Sequence, residues 1–295
     1  MKNYFILMAA VLVALTSCST DLTEDLNSQP SEVSNPANRE LITLSFAPSY
    51  MTDVTPMGAP AMTRGTTSSI ADYCTHLDVF ISDGTTVTDL HQSSSDSGFG
   101  SLSISLDKTK TYTLYAVAHR ATGAATLNNS IISFPDGIVT HTFFYTETFS
   151  PSTKTNLNCQ MTRIVALFRF DTTDAVPDNV TKMRFTVRDA GNQYNVNGYA
   201  TNVQEYVKIN NIASKNADGS ASFNVYIMAD DEESQVNIQV EALDADNNVI
   251  DTRLFEDVVV RNGYKTTYRG TFFVTTGISI SFVAEDMSEF DVVNF

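Results

Sequence analysis

Short segments in which apolar and polar residues alternate dominate this sequence. They recur along the chain after residue 40, and four clear examples are Leu102–Leu106, Tyr112–Ala118, Met183–Val187 and Phe223–Met228. Successive side chains of a β-strand point to opposite faces of a sheet, so alternation with a period of two is typical of strands with one buried face. No stretch shows the sustained helical period that an amphipathic helix needs. The sequence therefore predicts an all-β protein.

The length of the chain, 295 residues, suits two domains of ordinary size. Hydrophobic residues make up 42% of the sequence, which is enough for a core in each domain. The Ser150–Ser152 loop and a short strand are followed, near Cys159–Arg163, by a new apolar run. We therefore place the boundary between the two domains there. Many short strands at regular spacing indicate sandwiches. We therefore predict two tandem β-sandwiches, over residues 40–160 and 161–295.

The start of the chain has the composition of an export signal. Lys2 supplies a positive charge, residues 4–15 are almost uninterruptedly apolar, and Leu-Thr-Ser-Cys18 ends the run. Such a run is shorter than the roughly 20 residues of a membrane-spanning helix and is typical of a secretory signal peptide. The four-residue ending resembles the bacterial lipobox. It predicts that residues 1–17 are removed and that Cys18 is acylated, with palmitate among the acyl chains; an ordinary signal peptide with a chance cysteine is the alternative.

Residues 18–39 form a polar linker rich in Ser, Asn, Asp, Glu and Pro. They contain too few large apolar side chains to offset the entropy lost on ordering, so a flexible tether is predicted. Two or three acyl chains on Cys18 would hold the protein stably in a membrane. The acidic residues Asp21, Glu24 and Asp25 resemble a surface-export signal of Bacteroidetes lipoproteins. The expected location is the cell outer membrane, with the protein exposed on the surface.

The charge and the scattered reactive residues argue against several functions. A net charge of −16 repels phosphate backbones, so nucleic acid is not an expected partner. His76, His91, His119 and His141 are dispersed and lack zinc-site spacing. The sequence contains no nucleophile elbow and no phosphate-binding glycine loop. We therefore predict a protein that is not an enzyme and that carries no metal and no cofactor.

Two cysteines remain once Cys18 is set aside. Cys74 and Cys159 could form one disulfide outside the cytoplasm. Two separate, buried thiols are an equally acceptable interpretation, because the sequence does not give the distance between them. Both alternatives stay open at this point.

The order of several segments resembles the fimbrillin superfamily of Bacteroidales, whose members build pili from lipoproteins. Leu77–Ile81 with a following Asp-Gly turn, and then Tyr112–Ala118, are similar to the first hairpin and a tyrosine–aliphatic–alanine strand of that family's N-terminal domain. Met161–Leu167 is similar to the strand that opens the C-terminal domain, and Val260–Phe273 to a late hairpin. The resemblance implies transthyretin-like, Greek-key β-sandwiches. It also implies a fimbrial subunit or anchor in cell adhesion, with other pilus subunits and a host or bacterial surface receptor as partners.

The same resemblance implies proteolytic processing. Related pilins are cut after an arginine by a trypsin-like protease, and Arg64 lies in a loop just after the candidate strand Leu41–Phe46. A cut there would remove the lipid anchor together with that strand and release the protein into fimbriae. Arg39 is a competing position, but a cut after it would leave the strand in place.

A vacated strand position can be filled by a strand from another subunit. The C-terminal stretch Ile278–Phe295 is apolar enough to be that donor. Its candidate donor residues are Ile278, Ile280, Phe282 and Val283. An ordinary last strand with a frayed tail is the alternative.

Two other functions remain in competition. A glycan-binding surface lipoprotein of a nutrient-uptake system would also be an anchored β-sandwich. The absence of Trp weighs against it, since sugar platforms are usually aromatic, although Tyr194, Tyr199 and Tyr206 could replace Trp. An extracellular hydrolase is the weakest of the three, because no nucleophile, acid–base or metal motif is present.

Overall fold

The computed structural model describes residues 38–49, 69–229, 233–273 and 280–286. The chain divides into two units, Met1–Asn35 and Pro36–Phe295, and all described residues lie in the second unit. Apart from the single-turn 3-10 helices Ile70–Asp72 and Pro135–Gly137, the regular elements of this described part are β-strands. The all-β prediction is confirmed. In the same ranges, no helix has the length and hydrophobicity needed to cross a membrane.

The described residues of the first half form nine strands. They are β1 (Arg39–Pro48), β2 (His76–Ser82), β3 (Val87–Ser93), β4 (Ser101–Asp107), β5 (Tyr112–His119), β6 (Thr126–Asn128), β7 (Ile131–Ser133), β8 (Phe143–Phe149) and β9 (Asn156–Arg163). Seven of them form one sheet in the order β3-β2-β5-β8-β9-β1-β4. All its neighbours are antiparallel except β1 and β9, which run parallel.

The inward side chains of this sheet form a continuous first core. On β5 the alternation predicted from the sequence is visible directly, since Leu114, Ala116 and Ala118 are fully buried. The 3-10 helix Ile70–Asp72 adds Ile70, which packs in the same core. Met161 of β9 also belongs to it. Strand β9 runs through the expected join at 160/161, so the first core extends to this strand.

In the second half, ten strands lie within the described ranges. They are β10 (Ala166–Thr172), β11 (Lys182–Arg188), β12 (Gln193–Asn195), β13 (Tyr199–Thr201), β14 (Tyr206–Asn211), β15 (Ser222–Ile227), β16 (Glu233–Leu243), β17 (Val249–Arg261), β18 (Tyr264–Gly270) and β19 (Ile280–Asp286). Two four-stranded sheets, β15-β10-β18-β19 and β14-β11-β16-β17, supply most of them. Phe168 and Phe185 come from different sheets and meet edge to face, 6.4 Å apart between ring centroids. The second core is therefore that of a β-sandwich.

A small antiparallel sheet joins the two halves. Strands β6 and β7 of the first half and β12 and β13 of the second pair in the order β13-β12-β7-β6, which we call the junction sheet. Its central contact places Tyr194 opposite Ile132. A third group of buried residues, the junction cluster, packs around it: Phe80, Val117, Ala125, Ile132, Phe134, Val139, Phe144, Ile164, Val165, Tyr194, Val196, Ala200 and Met228. Backbone pairing and shared apolar burial thus hold the two halves together.

Candidate functional site

Strand β1 occupies an interior position in the seven-stranded sheet, between β9 and β4. It runs parallel to β9, with Phe46 opposite Cys159, and antiparallel to β4, with Ile42 opposite Ile104. Its side chains alternate as the sequence predicted: Ile42, Leu44 and Phe46 point into the first core, whereas Leu41 is 62% exposed. Burying three large apolar side chains stabilises by about 1.5–3 kcal/mol for each. The burial free energy of these three side chains is therefore comparable in size to the net stability of a typical domain, about 5–15 kcal/mol.

The two neighbours of β1 depend on it for their pairing. In the described sheet, β4 is the terminal strand and its ladder runs to β1 alone. Strand β9 pairs with β1 over six residues but with β8 only at Phe143–Arg163 and Phe144–Thr162. Without β1, both strands would present unpaired backbone donors and acceptors along most of their length, an arrangement that favours pairing with another strand. We call the position between β9 and β4 the β1 slot.

Hydrogen bonds fasten both ends of β1. At its start, the Arg39 guanidinium donates to the hydroxyl and the carbonyl of Ser105 on β4. Beyond its end, the amide of Ser49 donates to the carbonyl of Met161 at 2.7 Å, and the Ser49 hydroxyl donates to the same oxygen at 3.0 Å. Arg39, the competing cleavage position, is thus engaged within the strand.

Both cysteines of the first core are free thiols and buried. Cys159 faces the core below the β1 slot, and burial raises the pKa of its thiol to about 12. Burial also raises the pKa of the Cys74 thiol, which donates weakly to the His141 carbonyl at 3.7 Å. Of the two alternatives left open by the sequence, this structure contains the separate thiols. Burial therefore disfavours the thiolate, the reactive form of cysteine, at both positions.

The candidate donor segment is only partly described. Ile280, Phe282 and Val283 lie in β19, which pairs antiparallel with β18 and places Phe282 opposite Tyr268. Strand β19 is the terminal strand of its sheet as described, with β18 as its one neighbour. Ile278, and the remainder of the tail from residue 287, lie outside the described residues. Cys18 with the predicted signal and most of the tether, and Arg64 with its loop, also lie outside them.

Three histidines that are scattered in the sequence meet around one carboxylate. Asp78 on β2 is buried and accepts hydrogen bonds from His91 on β3 at 2.7 Å, from His119 on β5 at 2.8 Å, and from the amide of Ala125 at 2.9 Å. His76 stacks between the two imidazoles, with ring centroids 5.3 and 5.5 Å away. Burial, together with the neighbouring imidazoles, lowers the pKa of His76.

This cluster is a structural network and not a metal site. Within the described ranges, no group of three or more His, Cys, Asp or Glu side chains is arranged to hold a metal ion. The imidazole of His119 is fully satisfied, because its second nitrogen accepts from the amide of Ala121 at 3.1 Å. The sequence offered one signal for the cluster: His76, Asp78 and His91 stand on either side of a predicted Asp-Gly hairpin, which brings them onto adjacent strands.

The three tyrosines considered for a glycan platform do not form one. Tyr194 is buried in the junction cluster, and burial raises the pKa of its hydroxyl to about 12. Tyr199 is 43% exposed on β13. The Tyr206 hydroxyl donates to the backbone carbonyl of Tyr226 at 2.7 Å, so the Tyr206 side chain links β14 to β15.

Fold and site together define an all-β protein of two joined halves, in the first of which β1 lies between β9 and β4. The chain belongs to the family of unknown function DUF6562, whose model matches residues 139–291, just over half of the chain. Among curated proteins, none matches the chain at a significant level.

Three solved structures illustrate the structural similarity. A proposed cell adhesion protein from Bacteroides uniformis aligns with a TM-score of 0.48 and 13% identity, covering 84% of this chain and 99% of that one. The tip fimbrial protein Mfa3 from Porphyromonas gingivalis, truncated at its C-terminus, aligns with a TM-score of 0.41 and 11% identity over 84% and 99%. A proposed polysaccharide-binding protein from Bacteroides thetaiotaomicron gives 0.46 and 9% over 74% and 92%.

Proposed function

We propose that this protein is a surface lipoprotein that serves as a fimbrial subunit or anchor in cell adhesion and assembles by β-strand exchange. Its partners are other pilus subunits and a receptor on a host or bacterial surface. Acyl chains on Cys18 hold the precursor in the outer membrane, and a cut after Arg64 frees it for incorporation into a fibre. The observation that carries the proposal is the position of β1, which is the sole described ladder partner of β4.

The order of the elements along the chain supports a cut after Arg64 as the step that vacates the β1 slot. Arg64 lies between the end of β1 at Pro48 and the 3-10 helix that begins at Ile70, so a cut after it severs no other described strand. Strand β1 would then be held by non-covalent contacts only. A cut after Arg39 would leave β1 joined to the folded chain. Cleavage after Arg64 therefore prepares the β1 slot for exchange, and cleavage after Arg39 does not.

The donor side follows from a match between two segments of the sequence. The β1 segment Ile-Thr-Leu-Ser-Phe, residues 42–46, and the C-terminal segment Ile-Ser-Ile-Ser-Phe, residues 278–282, share one pattern. Both place aliphatic, aliphatic and aromatic side chains at alternate positions, with small hydroxyl residues between them. A strand with this pattern presents the same three kinds of side chain to one face. The C-terminal segment of one subunit can therefore fill the β1 slot of the next.

The locations of the two strands favour exchange in this direction. Strand β19 is terminal in its sheet and its release breaks one ladder, whereas β1 is interior and its loss breaks two. A donor that moves from an edge to an interior position exchanges one described ladder for two. Association is therefore favourable once the slot is vacant.

The thiol of Cys159 provides a direct test, since Phe46 of β1 lies opposite it. The precursor without its signal, carrying Cys74→Ala and Cys18→Ser, would be treated with limited trypsin, and intact mass would identify the cut. Thiol reactivity would be measured before the cut, after the cut, and after addition of a synthetic peptide of residues 276–295. We expect the Cys159 thiol to be protected before the cut, reactive after β1 is separated, and protected again once the peptide is added.

Two controls make the result specific. Arg64→Gln should abolish the cut and keep Cys159 protected throughout. A peptide carrying Ile280→Asp and Phe282→Asp should fail to restore protection, because carboxylates cannot enter the first core without a large desolvation cost. A Cys159 thiol that stays unreactive once β1 is gone, or a wild-type peptide that leaves it reactive, would contradict the strand-exchange proposal.

A further inference from the structure

A cleft of about 990 Å³ lies between the two halves and takes no part in strand exchange. One wall comes from the first half, through Asp72, Arg120 and the loop at residues 136–141. The opposite wall is formed by β14 and β15. The volume lies at the upper end of the range for small-molecule sites, about 300–1,000 Å³. Strand β1 does not line it.

The wall built by β14 and β15 is fixed by hydrogen bonds. The Tyr206 hydroxyl on β14 donates to the Tyr226 backbone carbonyl on β15 at 2.7 Å. The side-chain amide of Asn210 donates to the Asn224 backbone carbonyl at 3.2 Å. The junction sheet holds this half against the first half. The cleft is therefore preformed, which reduces the entropy that a ligand must lose on binding.

Two buried polar atoms on the lining have no partner within the described structure. His141 is 2% exposed and its Nε2 atom forms no hydrogen bond. The Oδ1 atom of Asn224, on the opposite wall, is also unpaired. Leaving a buried polar group unsatisfied costs about 1–3 kcal/mol, so such groups usually have a partner. Both residues line the cleft, where a ligand rich in hydroxyl groups can supply that partner after a small side-chain adjustment.

An aromatic pair spans the cleft floor. The imidazole of His141, from the first half, stacks on the ring of Tyr226, from the second, with centroids 5.2 Å apart and planes inclined by 13°. Burial lowers the pKa of His141 to about 2, so the imidazole is neutral at physiological pH. His141 itself is buried, so contact to the C–H face of a sugar ring is offered by the partly exposed ring of Tyr226.

The lining carries three acidic side chains, Asp72, Asp136 and Glu205, and two basic ones, Arg120 and Lys208, and Glu205 forms an ion pair with Arg188 at 2.8 Å. Arg120 donates to the Asp72 carbonyl at 3.2 Å, and neither Arg120 nor Lys208 forms an ion pair in the described part of the chain. Asp136 accepts only a long bond from Thr122, at 3.4 Å. The lining thus presents both donors and acceptors without a strong net charge. This arrangement fits hydroxyl groups, each of which donates and accepts, better than it fits an anion.

From these observations we infer that the cleft binds a neutral oligosaccharide. Its hydroxyl groups pair with Arg120, Lys208, Asp136 and Asn224, and one ring lies against Tyr226. The overall charge of −16 disfavours an acidic glycan. Because β1 does not line the cleft, binding there can be tested in the uncut chain, apart from strand exchange.

The test uses the uncut chain from residue 19 onward, so failure of strand exchange does not affect it. Calorimetric titration would compare neutral tetrasaccharides of β-glucan, xylan, mannan and galactan with tetragalacturonate. Arg120→Ala and Tyr226→Ala should each weaken binding of a neutral tetrasaccharide about tenfold or more, equivalent to about 1.4 kcal/mol. Arg261→Ala and Tyr199→Ala, which alter the same residue types outside the lining, should leave the affinity unchanged.

Salt and folding measurements complete the design. Affinity for the neutral sugar should be the same at low and high salt, since no net charge is neutralised. Arg120 is exposed, so Arg120→Ala should keep the wild-type melting temperature even if Tyr226→Ala lowers it. The inference is overturned if no neutral tetrasaccharide binds, if tetragalacturonate alone binds in a salt-dependent manner, or if Arg120→Ala leaves binding intact.

Discussion

At the scale of single residues, the most constrained group is the carboxylate of Asp78. It is buried, and three donors from β3, β5 and the loop before β6 converge on it. A buried carboxylate is tolerated only when its lone pairs are occupied. The three hydrogen bonds meet this requirement and fix the relative positions of β2, β3 and β5.

Replacing Asp78 by alanine should leave these three donors without their acceptor. Because His119 and the Ala125 amide are buried and each unsatisfied buried donor costs about 1–3 kcal/mol, the free energy of unfolding should fall by about 2 kcal/mol or more. The matched control is Asp89→Ala, which removes an exposed carboxylate from the adjacent strand β3 and should change stability little. Urea unfolding followed by circular dichroism measures both. Equal stability of the two variants would show that the network adds nothing.

A second residue-scale prediction concerns pH. Burial lowers the pKa of His141 from 6.5 to about 2, with Arg163 and Arg120 lowering it further. Between these two pKa values the unfolded chain binds more protons, so the stability contributed by neutral His141 is complete above the unfolded pKa and declines as pH falls below it. From about pH 7 to pH 5, His141→Gln should lose less stability than the wild type, by about 2 kcal/mol. Urea unfolding at the two pH values measures this difference. An equal loss of stability in His141→Gln and in the wild type would contradict the assignment.

At the scale of elements, β1 shows how an alternating segment acquires a special role. Its inward residues are ordinary core side chains, and its outward residues are ordinary surface ones. What distinguishes it is its location between two strands that have few other ladder partners. Stability of the first half should therefore be unusually sensitive to this strand.

Strand β1 offers a matched pair of leucines for testing this point. Leu44→Ala removes a fully buried side chain and should destabilise by about 3–5 kcal/mol, in the range for core leucines. Leu41→Ala, three residues earlier on the exposed face, should change the free energy of unfolding by less than about 0.5 kcal/mol. Denaturant unfolding of the uncut chain measures both values. A small effect of Leu44→Ala would mean that β1 is not a stabilising part of the core.

At the scale of the whole molecule, the junction sheet and the junction cluster couple the two halves. The pairing of β7 with β12 crosses from one half to the other, and Tyr194 packs edge to face on Phe144 with ring centroids 5.0 Å apart. Such a shared core means that unfolding one half exposes apolar surface of the other. The described unit should therefore unfold cooperatively.

Weakening the junction should separate the transitions. Tyr194→Ala removes a buried aromatic ring from the junction cluster, so calorimetry of this variant should resolve two melting transitions where the wild type shows one. Tyr199→Ala on the neighbouring strand β13 removes an exposed ring and should preserve the single transition. Two transitions already in the wild type would show that the halves are energetically independent.

Much of this protein is encoded locally. The period of two along Leu102–Leu106 or Tyr112–Ala118 predicted strands that the structure contains, because which face a side chain occupies depends on its immediate neighbours along the chain. The Asp-Gly signal after Ile81 predicted a turn, and the Asp83 carboxylate accepts there from the amides of Thr85 and Thr86. Local patterns of this kind determined the all-β class.

Only the tertiary structure decided which strands became neighbours. The sequence predicted a strand at Leu41–Phe46 but not its insertion between β9 and β4, parallel to the first and antiparallel to the second. Nor did it predict the histidines around Asp78, or the cleft between the halves. These features depend on pairing and packing between residues far apart in sequence. Many pairings satisfy the same local alternation, and the choice among them is made by how completely the whole chain buries its apolar faces and pairs its backbone.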